Sequence, residues 1–304
     1  MRTSLSLQVQ NSLLNISRAA QGLTDAQNRA ATGKRILKAS DDVPGTDRAM
    51  TLRSAISTIH QLSDNTLVSK PLLQTTDGAL ADLTNAIKSV QSIALAAANG
   101  TVTEDVRQSY LRQLDSAMES IADIANTKYL DGYVFSGTAI DRPAVSAQTG
   151  SPPYAYNGDA GVRRVQVLSW VSVPTNIPGS QVLNFDGSAG AGTTDVFTMV
   201  ARVRDAVASG DANTISSELD NIQKNLDNVL SCRSRIGAWM QRIDSAESIL
   251  ADSKTRMQEL LSKEEDADLA EAVIALQSQQ NVYQAALAVS AKILSLSLAS
   301  LDFS

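Results

Sequence analysis

Cysteine and histidine are nearly missing from this chain of 304 residues, each occurring once, as Cys232 and His60. One thiol forms no bridge within the chain, and a thiol–imidazole nucleophile would have to be built from these two residues alone. His60 falls in a helical pattern with Leu52, Ile56 and Ile59, which suits a helix surface or an interface better than a general base. So little histidine also leaves no ligand supply for a metalloenzyme, and no Gly-x-Ser-x-Gly elbow is present. Aromatic residues make up only 4% of the chain. Cores of Ala, Leu, Ile and Val suit long helices packed side by side better than a sheet with a catalytic pocket. Positive charge is short as well: 26 Lys and Arg against 32 Asp and Glu leave a net −6. Neutralising a phosphate backbone needs a basic face, so no nucleic-acid partner is expected. The short basic groups Lys34, Arg35, Lys38 and Arg233, Arg235, Arg242 read as solvated helix faces. Met1 to Gln8 lack the apolar run of a cleavable secretory signal. Residues 272–291 carry no Asp, Glu, Lys or Arg, but Gln277, Gln279, Gln280, Asn281 and Gln284 lie among them. Hydrocarbon penalises each of those amides, and no membrane insertion is expected.

What is present is a pattern shared by the two ends. Leu5, Val9, Ser12, Ile16, Ala19, Leu23, Ala26, Ala30, Gly33 and Leu37 alternate in steps of four and three. Leu269, Val273, Leu276, Gln280, Tyr283, Leu287, Ser290, Leu294, Ser297 and Leu301 do the same at the far terminus. Both are seams with the period of a left-handed supercoil. Fixing two helices of this length costs on the order of 1–2 kcal/mol of backbone entropy per residue. The large apolar seam residues return about 1.5–3 kcal/mol each when buried, and small or polar members such as Gly33, Ser290 and Ser297 return less. The expectation is therefore that both ends become well ordered only when neighbouring subunits cover them. Leu5, Val9, Ile16, Leu23, Leu37, Leu269, Val273, Leu276, Leu287, Leu294 and Leu301 form the candidate assembly interface.

Between the ends the texture changes twice. Ser40, Asp41 and Asp42 are N-cap candidates, with Pro44 tolerated in a first turn. Helical spacing follows from Thr46, Pro71 should interrupt or kink it, and Leu80, Leu83, Ile87, Val90, Ile93 and Ala94 make one stripe from about Leu72 to Ala98. Asn99-Gly100 signals a turn, and Thr103-Glu104-Asp105 opens a helix with Val106, Tyr110, Leu114, Ala117, Ile121 and Ile124 inward. After Tyr129, closely spaced Gly and Pro exclude long helices. The β-prone runs there are Tyr133–Phe135, Val162–Val167, Val171–Val173 and Val182–Phe185. Helical periodicity resumes at about Thr194 and runs through Ile222, Leu226, Val229, Ile236, Ile243, Ile249 and Leu260. The fold class expected is mainly α with a small inserted antiparallel β domain. Its parts are an N-terminal coiled-coil segment (1–40), a helical core in two pieces (41–138 and 195–262), an outward β insert (139–194) and a C-terminal coiled-coil segment (263–304).

No motif carries catalysis. Gly33-Lys34 lacks the earlier glycine and following Ser/Thr of a phosphate loop. Glu264, Glu265, Asp266 and Asp268 lack a glycine-punctuated calcium loop and read as an acidic first turn favoured by the helix dipole. No catalytic residue, cofactor or metal is expected. Asn28–Ile36 followed by Ser40-Asp41-Asp42 resembles the N-terminal signature of bacterial flagellins and hook-associated proteins. Thr76–Leu80, Ala97–Thr101 and Glu265–Ala270 extend the resemblance over roughly the first 140 and last 110 residues. Ala125–Thr138, Tyr283–Leu287 and Ser297-Leu298 are similar to members of that family found at the hook–filament junction.

The resemblance implies a non-enzymatic structural subunit, exported unfolded through the flagellar type III apparatus without signal cleavage and placed outside the cell at that junction. It further implies self-association in a helical ring and contacts with the hook-side hook-associated protein and with flagellin. An export chaperone on the C-terminal amphipathic segment is implied too. A compact flagellin forming the filament itself is the near alternative. A secreted enzyme using Asp159, Asp186 and Asp195 of the insert, or an intracellular coiled-coil adaptor, are the distant ones.

Overall fold

The computed structural model describes residues 2–98, 103–150 and 152–301, with side chains from residue 7 to residue 293 of those ranges. The Asn99-Gly100 turn and the side chains of Leu5, Leu294, Ser297 and Leu301 lie outside the described residues. The chain is mainly helical: α1 (Arg2–Thr32), α2 (Val43–Ala98), α3 (Glu104–Ala125), α4 (Gly179–Val182), α5 (Val196–Ser209), α6 (Ala212–Glu265) and α7 (Leu269–Leu301). Strands β1 (Lys128–Tyr129) with β2 (Gly132–Tyr133), β3 (Val145–Ala147) with β4 (Tyr154–Tyr156), and β5 (Arg164–Leu168) with β6 (Val171–Pro174) form three separate antiparallel pairs. Two compact units result, residues 1–59 with 252–304 and residues 60–251.

Heptad spacing builds the helical part of the second unit. On α6, Ile215, Ile222, Val229, Ile236, Ile243 and Leu250 recur every seven residues and are all buried. On α2 the buried positions Leu62, Thr66, Ser69, Leu73, Thr76, Leu80, Leu83, Ile87, Val90 and Ala94 alternate by four and three without a break. Its four buried hydroxyls bond back to the helix, Thr66 Oγ1 to Ser63 O at 2.8 Å, Ser69 Oγ to Asn65 O at 2.6 Å, Thr76 Oγ1 to Leu72 O at 2.7 Å and Thr84 Oγ1 to Leu80 O at 2.7 Å, so their burial leaves no orphan donor. Pro71 does not interrupt α2, contrary to the expectation from sequence. It lies off the buried seam, and Leu67, whose carbonyl loses its donor four residues on, is exposed, so water can supply that bond. Asp42 caps α2, Oδ1 accepting from Gly45 N at 2.9 Å. Asp42→Ala should lower the melting temperature of the first unit by the equivalent of about 1 kcal/mol, measured by far-ultraviolet circular dichroism.

Four readings from sequence are corrected. Val182–Phe185 is no strand: Val182 ends the α4 turn set by Pro178, Leu183 N donates to Gly179 O at 2.9 Å, and Asn184 takes a left-handed φ of 62°. Burial of Val182 and Leu183 in that turn overrides their β preference. Val106 is exposed rather than inward, because an apolar residue on the helical period still needs a partner opposite it. The acidic run is no first turn: Glu264 and Glu265 end α6, and only Asp268 caps α7, accepting from Ala270 N at 2.8 Å. The basic groups are not simply solvated. Arg233 pairs with Asp77 at 3.2 Å, Arg235 lies over the Trp239 ring, and Lys34, Arg35 and Lys38 are held as described below.

Candidate assembly interface

Helices α1 and α7 lie side by side and antiparallel in the first unit, with Gly22 facing the Gln279 amide and Gly33 O accepting from Ala267 N at 2.8 Å. On α1, Val9, Ile16, Leu23 and Ala30 are half-buried and Ser12, Ala19 and Ala26 buried. On α7 the side chains turned from solvent are Ala272, Leu276, Gln279, Tyr283, Ala286, Ser290 and Ile293. This set keeps four-and-three spacing but shares only Leu276, Tyr283 and Ser290 with the seam read from sequence. Leu269, Val273 and Leu287, also candidates for the interface, stand exposed, and Leu37 is half-buried in the loop after α1. Nearly every turn of α7 carries apolar residues on more than one face, so periodicity alone offers two seams. The small residues Ala272, Ala286 and Ser290 occupy the one nearest α1.

Where these two helices meet α2 and α6, an ionic clasp joins residues far apart in sequence. Gly33, with φ of 67°, ends α1 in the left-handed conformation that suits glycine. The chain after it pairs with the α6–α7 turn: Arg35 N donates to Glu265 O at 2.7 Å, and the backbones of Lys34 and Asp266 form an isolated antiparallel β-bridge. Glu265 is buried and receives Lys34 Nζ at 2.6 Å and Arg53 Nη2 at 2.7 Å. Burial alone would push its carboxyl upward, but those two hydrogen bonds prevail and hold it below the usual carboxylate range. Arg48 meets Glu264 Oε2 at 3.0 Å, while Arg35 reaches Glu264 O at 2.7 Å and Asp42 Oδ2 at 2.9 Å. Lys38 lies 3.5 Å from Asp25. Asp41, accepting first from Lys38 N and also from Leu37 N, and Asp42, accepting from Gly45 N and Arg35, are likewise held low. The clasp escaped sequence reasoning because its partners are more than 200 residues apart. Its signal was the coincidence of the Gly33-Lys34-Arg35 and Glu265-Asp266 motifs at opposite ends of one chain.

The groups considered for catalysis are otherwise occupied. Cys232 is buried, and burial pushes its thiol up, away from nucleophilic character. His60 is exposed on α2. Asp195 caps α5 through Phe197 N and Thr198 N, Asp186 accepts from Ser188 N, and Asp159 holds Thr138 and the Gly161 N–H. No described helix is long and apolar enough to cross a membrane.

Paired terminal helices, joined by a clasp and flanked by uncovered apolar side chains, define an assembly protein. Residues 4–139 match the bacterial flagellin N-terminal helical region and residues 219–301 the bacterial flagellin C-terminal helical region, more than two thirds of the chain together. The chain belongs to the bacterial flagellin family. It is 24% identical to flagellar hook-associated protein 3 of Escherichia coli (strain K12), over 94% of each chain. It is 24% identical to a flagellin of Listeria innocua over 82% of this chain and 80% of that one. The fold matches that of flagellar hook-associated protein 3 from Legionella pneumophila with a TM-score of 0.63 and 17% identity, covering 70% of this chain and 98% of the other. The chain is a flagellar structural protein and not an enzyme.

Proposed function

We propose that this chain is the subunit that joins the flagellar hook to the filament, exported unfolded and assembled outside the cell by coupled ordering of its terminal helices. The observation that carries this reading is the uncovered apolar surface of α1 and α7. Leu7 is 61% and Ile274 70% exposed, and Leu13, Leu14, Val273, Val282 and Val289 are also exposed. The fully buried positions of the α1–α7 seam are small, Ser12, Ala19, Ala26, Ala272 and Ser290, so much of the large apolar area of both helices gains nothing in a lone chain. Neighbouring copies in a helical ring would cover it. Before assembly the same α7 surface suits capture by an export chaperone as an amphipathic helix in a groove. Alignment over 94% of a hook-associated protein 3, against 80% of a flagellin, favours the junction over the filament.

The hook-side hook-associated protein and flagellin are the axial neighbours this reading requires. Electron microscopy of flagella carrying a gold-labelled copy tests the placement. Label confined to one short zone between hook and filament is expected, and label along the filament would make the chain a flagellin. Hydrogen exchange provides the second check: α1 and α7 amides, held in the lone chain only by their shared seam and the clasp, should gain further protection on incorporation.

A further inference from the structure

We propose that successive copies of this chain interlock through their second units, the Leu130-Asp131 hairpin tip of one copy seating in the groove between α6 and the β5–β6 hairpin of the next. The proposal rests on the assembly reading only in requiring copies side by side. Leu130 and Trp170 are the two most exposed large apolar side chains among the described residues, at 80% and 77%. Each occupies a two-residue hairpin turn, Leu130-Asp131 between β1 and β2 and Ser169-Trp170 between β5 and β6. Leu130 adopts a φ of 51°, a left-handed conformation in which Gly or Asn would be less strained. A strained leucine thrust into solvent gives the lone chain nothing, which points to a partner outside it.

Trp170 borders the complementary feature. Arg164, Leu168 and Trp170 on the hairpin, with Arg242, Ala246 and Ile249 on α6, wall a groove of about 910 Å³ that no carboxylate lines. Arg164 is engaged with Ser172, at 3.2 Å to Oγ and 3.1 Å to O, which leaves Arg242 to receive an incoming acid. The sequence makes this concavity unusual. The first unit holds twelve basic and twelve acidic residues and is neutral, whereas the second holds fourteen and twenty and carries the whole net −6. Second units brought together repel one another except where such a basic groove meets an acidic projection. Leu130 supplies an apolar knob for Trp170, Leu168 and Ile249, and the exposed Asp131 beside it supplies the carboxylate for Arg242. Knob and groove are different surfaces of one chain, so the contact is heterologous and propagates from copy to copy instead of closing a pair. A Trp and an Arg at the centre of such a contact are residue types that dominate interface energetics.

The test places a photo-reactive benzoylphenylalanine at position 170 of the full chain in cells that assemble flagella. Irradiation should join it to the peptide of a second copy that contains Leu130 and Asp131. Asp131→Arg and Arg242→Asp should each lower the yield roughly tenfold, and the two together should restore it. Crosslinks to another segment, crosslinks to a different protein, or none in flagella that contain the chain would overturn the interlock. So would losses in the single variants without recovery in the double. A chain absent from flagella would instead refute the assembly reading; the crosslink is then sought in concentrated purified chain, where its absence overturns the interlock as well.

Discussion

Leu287→Asp should leave the second unit folded and remove the chain from assembled flagella. Leu287 is 42% exposed, so in a lone chain the change costs only about 1–2 kcal/mol of helix propensity and partial apolar contact. Once neighbours cover that flank of α7, the same carboxylate loses its water with no partner, at a cost of several kcal/mol in every subunit contact. Circular dichroism of the purified variant should match the parent, while incorporation, measured by quantitative immunoblot of sheared flagella, should fall more than about 100-fold, the equivalent of roughly 3 kcal/mol. Normal incorporation would refute the assembly surface on α7. Leu276→Asp is the contrasting control: Leu276 faces inward, so this variant should already loosen the first unit of the lone chain.

Glu265→Lys should unfold the first unit selectively. Reversal leaves Lys34 and Arg53 facing a third cation where they now share a buried carboxylate, and breaking a buried pair in this way costs about 3–5 kcal/mol. Glu265→Gln keeps the shape and should cost about 1–3 kcal/mol. Both tryptophans, Trp170 and Trp239, belong to the second unit, so their fluorescence should barely respond, while hydrogen exchange in α1 and α7 should rise sharply. The acid dependence has a definite sign. The folded carboxyl titrates below its unfolded value of 4.5, so its stabilisation is complete above that value and is lost as the pH falls through the folded pKa. Stability of the first unit should be level from neutral pH down to about 5 and decline below about 4. Glu265→Gln should flatten that decline without abolishing it, because Asp41 and Asp42 are also held low in the same unit. An unchanged acid profile in the Gln variant would mean that Glu265 does not carry the clasp.

Local pattern was informative where one face of an element is apolar and the other polar. The stripe from Leu80 to Ala94 on α2, Leu114 and Ile121 on α3, and the Ile222–Ile243 series on α6 are buried as their spacing requires. The Asp42 cap was legible for the same reason, since a cap depends on a few consecutive residues, whereas the N-terminal seam read through to Leu37 although α1 ends before the left-handed Gly33. Pattern misled where a second interaction outweighed propensity, as at Val182–Phe185, or where solvent repaired a local defect, as at Pro71.

The class was readable from residue order alone: few aromatics, no catalytic set, four-and-three seams at the two ends and a glycine-rich insert between helices specify an assembly protein of long helices. Which face of α7 meets α1, the clasp that Glu264 and Glu265 close on Lys34, Arg35, Arg48 and Arg53, and the uncovered state of Leu130 and Trp170 emerge from the folded chain. The reason is range. A helical period is set by neighbours three and four residues away, whereas a register, an ion pair or an exposed flank depends on segments that the chain brings together from more than 200 positions apart.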